Sequence, residues 1–127
     1  MPKTSLLDLA KHSVGFGRDG AISLLPDTRP PPRVDGLSVG VAVMDHPAPH
    51  AGERHLDGDE LLYLIAGRAT ILLERPDGEE RFELAASEAC IVPRGLWHRV
   101  IPNGRMTLLY ATPGPNTERR PIPTQAR

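Results

Sequence analysis

Glu53-Arg54-His55-Leu56-Asp57-Gly58-Asp59-Glu60 runs directly into the apolar stretch Leu61-Leu62-Tyr63-Leu64-Ile65-Ala66-Gly67. Side chains alternate faces along a strand, so Glu53 and His55 are expected to point the same way. Asp57-Gly58 is a turn pair that predicts a reversal of the chain, with Glu60 opening the returning strand close to His55. Further on, Pro93-Arg94-Gly95-Leu96-Trp97-His98 offers a second imidazole just after a turn. Three or four nitrogen and oxygen donors converging on one point make a site for a divalent metal ion.

Outward from this stretch the pattern is one of short strands. Leu37 to Asp45 reads as a valine-rich strand, and Pro47 and Pro49 separate it from Glu53. Residues 61–66 and 68–74 read as two strands broken at Gly67, and Pro76-Asp77-Gly78 marks a turn before Arg81-Phe82-Glu83-Leu84. Cys90-Ile91-Val92 and Met106 to Thr112 complete the set. No amphipathic helix of useful length is found, and this spacing of strands is that of an all-β sandwich or barrel. Gly15-Phe16-Gly17-Arg18-Asp19-Gly20 has the spacing of a dinucleotide fingerprint but neither the strand before it nor the helix after it, so it reads as a glycine-rich loop. Arg29-Pro30-Pro31-Pro32-Arg33 is stiff connecting chain.

Composition narrows the class. The 127 residues suit one domain, and 14 prolines and 12 glycines suit a fold of many turns. With 15 basic and 16 acidic residues, no overall field favours nucleic acid or an anionic membrane. One cysteine excludes an intrachain disulfide framework, and no apolar run approaches the roughly 20 residues of a membrane span. An acid at Asp8 interrupts the apolar stretch that a signal peptide needs, so a cytoplasmic protein is expected.

These residues resemble the cupin family. His55, four residues, Glu60, six residues and Gly67 match the latter part of its first motif, and Pro93, Gly95 and His98 match the heart of its second. The resemblance covers residues 36–112. It implies an all-β, single-domain jelly-roll β-barrel, a homodimer, and a divalent metal (iron, manganese, nickel or zinc) held by three histidines and a glutamate. On this reading residues 1–35 are an N-terminal arm and connecting segment, and 113–127 a proline- and arginine-rich tail, mobile or packed on a partner subunit. Glu53 stands where the family's first histidine would be, Pro47 and Ser87 stand where each motif opens with glycine, and Asn103 falls one place late. His55, Glu60 and His98 therefore match family ligands, while Glu53 occupies a ligand position with a different donor.

Three roles are open to Glu53: fourth metal ligand; catalytic acid or base with a pKa raised by burial; or a carboxylate left after loss of the metal. The plain alternative for His55 and His98 is that they are barrel histidines bonded to neighbouring carboxylates. His46 and His50 are expected in exposed loops, with His50 a substitute ligand if it bends inward. Arg54 should face away from His55, Asp57 and Asp59 serve their turn, Trp97 packs on the outer face or at a subunit contact, and Cys90 is a small buried residue. The expected function is that of a metal-dependent enzyme of dioxygenase, isomerase, decarboxylase or lyase type acting on a small organic molecule. The alternative is a binding or sensing module without turnover.

Overall fold

The computed structural model describes residues 6–123; residues 1–5 and 124–127, the ends of the expected arm and tail, lie outside the described residues. Eleven strands and no helix are found among the described residues, so none of these residues forms a helix long and apolar enough to cross a membrane. The strands are β1 (Val14–Gly17), β2 (Ile22–Leu24), β3 (Gly36–Met44), β4 (Glu53–His55), β5 (Glu60–Ala66), β6 (Arg68–Arg75), β7 (Gly78–Ala85), β8 (Ala89–Val92), β9 (His98–Pro102), β10 (Met106–Gly114) and β11 (Thr117–Arg119). They form a six-stranded antiparallel sheet in the order β2-β1-β3-β10-β5-β8 and a five-stranded one in the order β11-β4-β9-β6-β7.

The core lies between the two sheets and follows from side-chain alternation. Along β5, Leu62 and Leu64 are buried whereas Leu61 and Ile65 are exposed, as the sequence pattern predicts. Met106 and Leu108 of β10 and Cys90 and Val92 of β8 share that inner face. They meet Ala69, Ile71 and Leu73 of β6 and Leu84 of β7 from the other sheet. The jelly-roll expectation holds, with one refinement: no strand ladder joins the two sheets among the described residues, so the sandwich does not close into a barrel.

The hairpin expected at Asp57-Gly58 is not formed. β4 pairs with β9 and β11 and β5 with β10 and β8, so the turn carries the chain from one sheet to the other. Both edges of the three-residue β4 face its own sheet partners, which leaves no edge for β5. Gly67 makes a second crossing at φ 86°, where a side chain would strike the Arg105 carbonyl. Gly15 to Gly17 belong to β1, and a turn through Gly20 joins β1 to β2 in a hairpin, in place of the expected loop. Within the expected arm and tail, β1 pairs with β3 and β11 pairs with β4, so both segments extend the sheets.

Candidate metal centre

Four side chains meet at one end of the sandwich. Glu53 and His55 lie on the same face of β4, and Glu53 is directly opposite His98 at the start of β9, so these three project from one sheet. Glu60, the first residue of β5, comes from the facing sheet. One ligand atom from each of the four lies within 4.8 Å of the others, and His55, Glu60 and His98 are at most 3% exposed. His55 Nε2 lies 3.2 Å from Glu60 Oε2 and 3.4 Å from Glu53 Oε1, and His98 Nε2 lies 3.0 Å from Glu60 Oε1. The two imidazoles are tilted by 53° with centroids 5.2 Å apart, so they converge without stacking.

Outer partners orient these donors. His98 Nδ1 lies 3.3 Å from the Leu96 carbonyl. A carbonyl only accepts, so Nδ1 carries a proton and Nε2 faces the site. His55 Nδ1 is 2.9 Å from Thr117 Oγ1 of β11, which likewise leaves Nε2 facing inward. Thr112, fully buried on β10, donates to Glu60 Oε2 at 2.5 Å. Arg119 Nε lies 3.0 Å from Glu53 Oε2, leaving Oε1 toward the site.

The donor set fits a cation. His55 Nε2 and Glu60 Oε1 are shut off from solvent and have no hydrogen-bond partner. Between His98 Nε2 and Glu60 Oε1 a nitrogen lone pair faces a carboxylate oxygen, a repulsive arrangement unless a proton or a metal ion sits between them. Atoms bound to one ion at about 2.1 Å are at most about 4.2 Å apart, so a spread of up to 4.8 Å would need to close by about 0.6 Å at most. The same residues pair electrostatically in the metal-free state. Burial opposes charge on His55, but the carboxylates of Glu53 and Glu60 outweigh it and raise its pKa to about 9. Burial likewise opposes ionisation of Glu60, and His55 and His98 overcome it, holding the carboxyl well below its usual range.

Glu53 departs from expectation: its pKa is lowered, not raised. Burial pushes the carboxyl up, but His55 and Arg119 prevail. His50, expected in an exposed loop, is half-buried at the rim, with Nε2 3.9 Å from Glu53 Oε2 and Nδ1 accepting from the Gly52 amide at 3.1 Å. Desolvation lowers its pKa. His46 is exposed and paired with Asp45. Arg54 faces away toward Glu118, and Trp97 lies between the guanidinium groups of Arg54 and Arg120. Asp57 accepts from the Asn116 amide at 2.6 Å, and Asp59 from the Arg94 amide at 2.9 Å, so both hold loops around the site. Cys90 is buried, and desolvation raises its thiol pKa. A cavity of 690 Å³ opens beside the cluster, lined among others by Glu53, Glu60, His98, Leu62, Leu108 and Tyr110. Sequence reasoning missed Thr112, Thr117 and Arg119, which no motif spacing marks.

The sequence matches no protein-family model and no curated protein. Solved structures do match. A cupin-2 domain protein from Shewanella frigidimarina superposes with a TM-score of 0.53 at 16% identity, over 65% of this chain and 74% of that one. The chain has a cupin fold. A cupin superfamily protein from Desulfitobacterium hafniense gives 0.52 at 20% identity, over 65% and 71% of the two chains. A mutant of Bacillus subtilis oxalate decarboxylase gives 0.57 at 16% identity; 65% of this chain matches only 23% of that much longer one. Within the cupin fold, the Glu53, His55, Glu60 and His98 cluster can hold a metal ion.

Proposed function

We propose that this protein is a metal-dependent enzyme acting on a small organic molecule bound in the cavity beside the cluster. His55, Glu60, His98 and Glu53 would hold a divalent ion (manganese, iron, nickel or zinc). The observation that carries this reading is the four-donor convergence itself, in which the buried atoms His55 Nε2 and Glu60 Oε1 make close polar contacts but no well-formed hydrogen bond. When bound, the ion supplies Lewis acidity that polarises a substrate oxygen. The chain supplies the rest: two imidazoles fixed from behind by Thr117 and Leu96, Glu60 held by Thr112, and Glu53 held by Arg119. Two carboxylates offset the charge of a divalent ion.

Metal analysis of purified protein tests the proposal. About one ion per chain is expected, lost in His55→Ala and His98→Ala and weakened in Glu60→Gln. A protein that neither carries nor is stabilised by any of the four metals refutes it. Metal uptake with no product from a broad substrate screen leaves a binding module in place of an enzyme.

We also propose a homodimer formed through the outer face of the six-stranded sheet. Leu37 and Val43 of β3, Leu61 and Ile65 of β5, and Ile91 of β8 are exposed there, on the side opposite the core. Such a broad apolar sheet face favours association. A light-scattering mass equal to one chain at all concentrations refutes the dimer.

A further inference from the structure

Arg33 brings two donors without a partner to the lining of the cavity. It lies in the connecting stretch before β3, lines the same cavity as Glu60 and His98, and holds its guanidinium 5.5 Å from the ring centroid of Tyr110. Its Nε and Nη1 are shut off from solvent and have no hydrogen-bond partner among the described residues. Each carboxylate lining the cavity already has a partner: Asp27 pairs with Arg29, Asp45 with His46, Glu53 with Arg119, and Glu60 with the two imidazoles. Arg33 as a whole is half-buried, but two shielded donors without an acceptor are costly, and a planar carboxylate reaching the guanidinium satisfies such a fork.

The position of Arg33 is fixed by the fold. The Ser38 hydroxyl donates to the Pro32 carbonyl at 3.0 Å, and Gly114 lets the Arg33-Val34 backbone lie against β10, where a side chain would meet the Val34 carbonyl at 2.5 Å. Tyr110 is two residues from Thr112 on the same face of β10, and Thr112 touches Glu60. Two residues along a strand span about 7 Å. The residue that Arg33 approaches and the residue that touches Glu60 are therefore neighbours on one face of β10, and both Arg33 and Glu60 line the cavity.

We infer that Arg33 is the anchor for the carboxylate of a short-chain organic acid, whose other oxygen-bearing end lies at the His55, Glu60 and His98 cluster. This inference deepens the proposed function and rests on it for the second end of the molecule. The class follows from the site: a guanidinium with unpartnered donors for a carboxylate, a mostly apolar wall for a short carbon chain, and added positive charge from Lys11 and Arg99 at the lining.

Calorimetric titration of short-chain monocarboxylic, dicarboxylic and 2-oxo acids, their uncharged amides and inorganic phosphate tests it, using both chelated and manganese-loaded protein. At least one acid is expected to bind the chelated wild type, and its amide is not. Arg33→Gln should weaken that acid roughly tenfold to a hundredfold, the worth of a charged hydrogen-bonded pair, with manganese content unchanged. Arg33→Lys should fall between, keeping charge without the fork, and it carries the test if Arg33→Gln does not fold. The inference is overturned if amides bind as well as acids, if phosphate binds more tightly than every carboxylate, or if the Arg33 variants keep full affinity. Because the chelated protein reports Arg33 alone, failure to take up manganese would refute the metal reading without deciding this one.

Discussion

Chelated, metal-free protein should lose stability as the pH rises from 6.5 to 9. His55 has its pKa raised from 6.5 to about 9 by Glu53 and Glu60, against the cost of burial. A group raised on folding contributes stability that is fully present below its unfolded value and is lost as the pH climbs through its folded value. The interval between 6.5 and about 9, at about 1.4 kcal/mol per pH unit, corresponds to about 3 kcal/mol. For a domain of this size that is roughly 10 °C in melting temperature. The other displaced groups act outside the window. Glu53 and Glu60 are depressed, so their stabilisation is present above about 4.5 and fades on acidification. His50, also depressed, weakens the fold only as the pH falls below 6.5, and the raised Cys90 thiol matters above 9.0. Metal reverses the sign, because an ion must displace the His55 proton: the stabilisation added by manganese or zinc should grow across the same window. Thermal melts at constant ionic strength, with and without metal, read both slopes. A chelated protein whose stability is flat or rising between pH 6.5 and 9 would refute the reasoning, as would a His55→Gln variant that keeps the decline.

Thr112→Val removes the hydroxyl that donates to Glu60 at 2.5 Å, and equilibrium dialysis should show metal affinity reduced by roughly tenfold or more, with the fold intact. Glu53→Gln should lower metal content and Glu53→His largely restore it; unchanged metal with turnover lost would make Glu53 a proton carrier and not a ligand. Ser87 sits at φ 76°, in the left-handed region that favours glycine, so Ser87→Gly should raise the free energy of urea unfolding by about 1 kcal/mol. Gly67→Ala combines a forbidding φ of 86° with a clash on the Arg105 carbonyl, and should lower that free energy by about 2 kcal/mol or more.

The strands that the sequence displays are those with sustained alternation between turn residues. Leu37 to Asp45 was expected and Gly36–Met44 is found; residues 61–66 and 68–74 become Glu60–Ala66 and Arg68–Arg75. Gly67 and Pro76-Asp77-Gly78 bounded them, and period-two burial fixed their inner faces. Of the strands not expected, β1 and β11 lack that pattern most clearly. Val14–Gly17 is half glycine and Thr117–Arg119 is polar, so what makes them strands is the free edge offered by β3 and β4. An edge supplied from more than a dozen residues away leaves no mark in the local pattern. The departure at Ser87 is the reverse case: its left-handed backbone shows why a glycine suits the position, a demand invisible until φ is known.

For the site, spacing located the four donors but not the sheet each belongs to. Asp57-Gly58 has the chemistry of a hairpin turn, and a hairpin would have placed His55 and Glu60 on one ladder; instead they face each other across the sandwich at 3.2 Å. The difference changes what the residues do. Glu53, His55 and His98 project from the five-stranded sheet and Glu60 from the six-stranded one, and no ladder joins the sheets among the described residues. A cation or a shared proton bound by the cluster is therefore also a tie between two layers otherwise held by apolar packing. The partners that tune it, Thr117 and Thr112, stand 62 and 52 residues from the ligands they touch. Burial alone led to a raised pKa for Glu53; Arg119, from a segment with no apolar pattern to place it, brings the charge that helps lower it. Donor identity is written in short motifs, whereas donor basicity is set by neighbours that only the completed topology brings near.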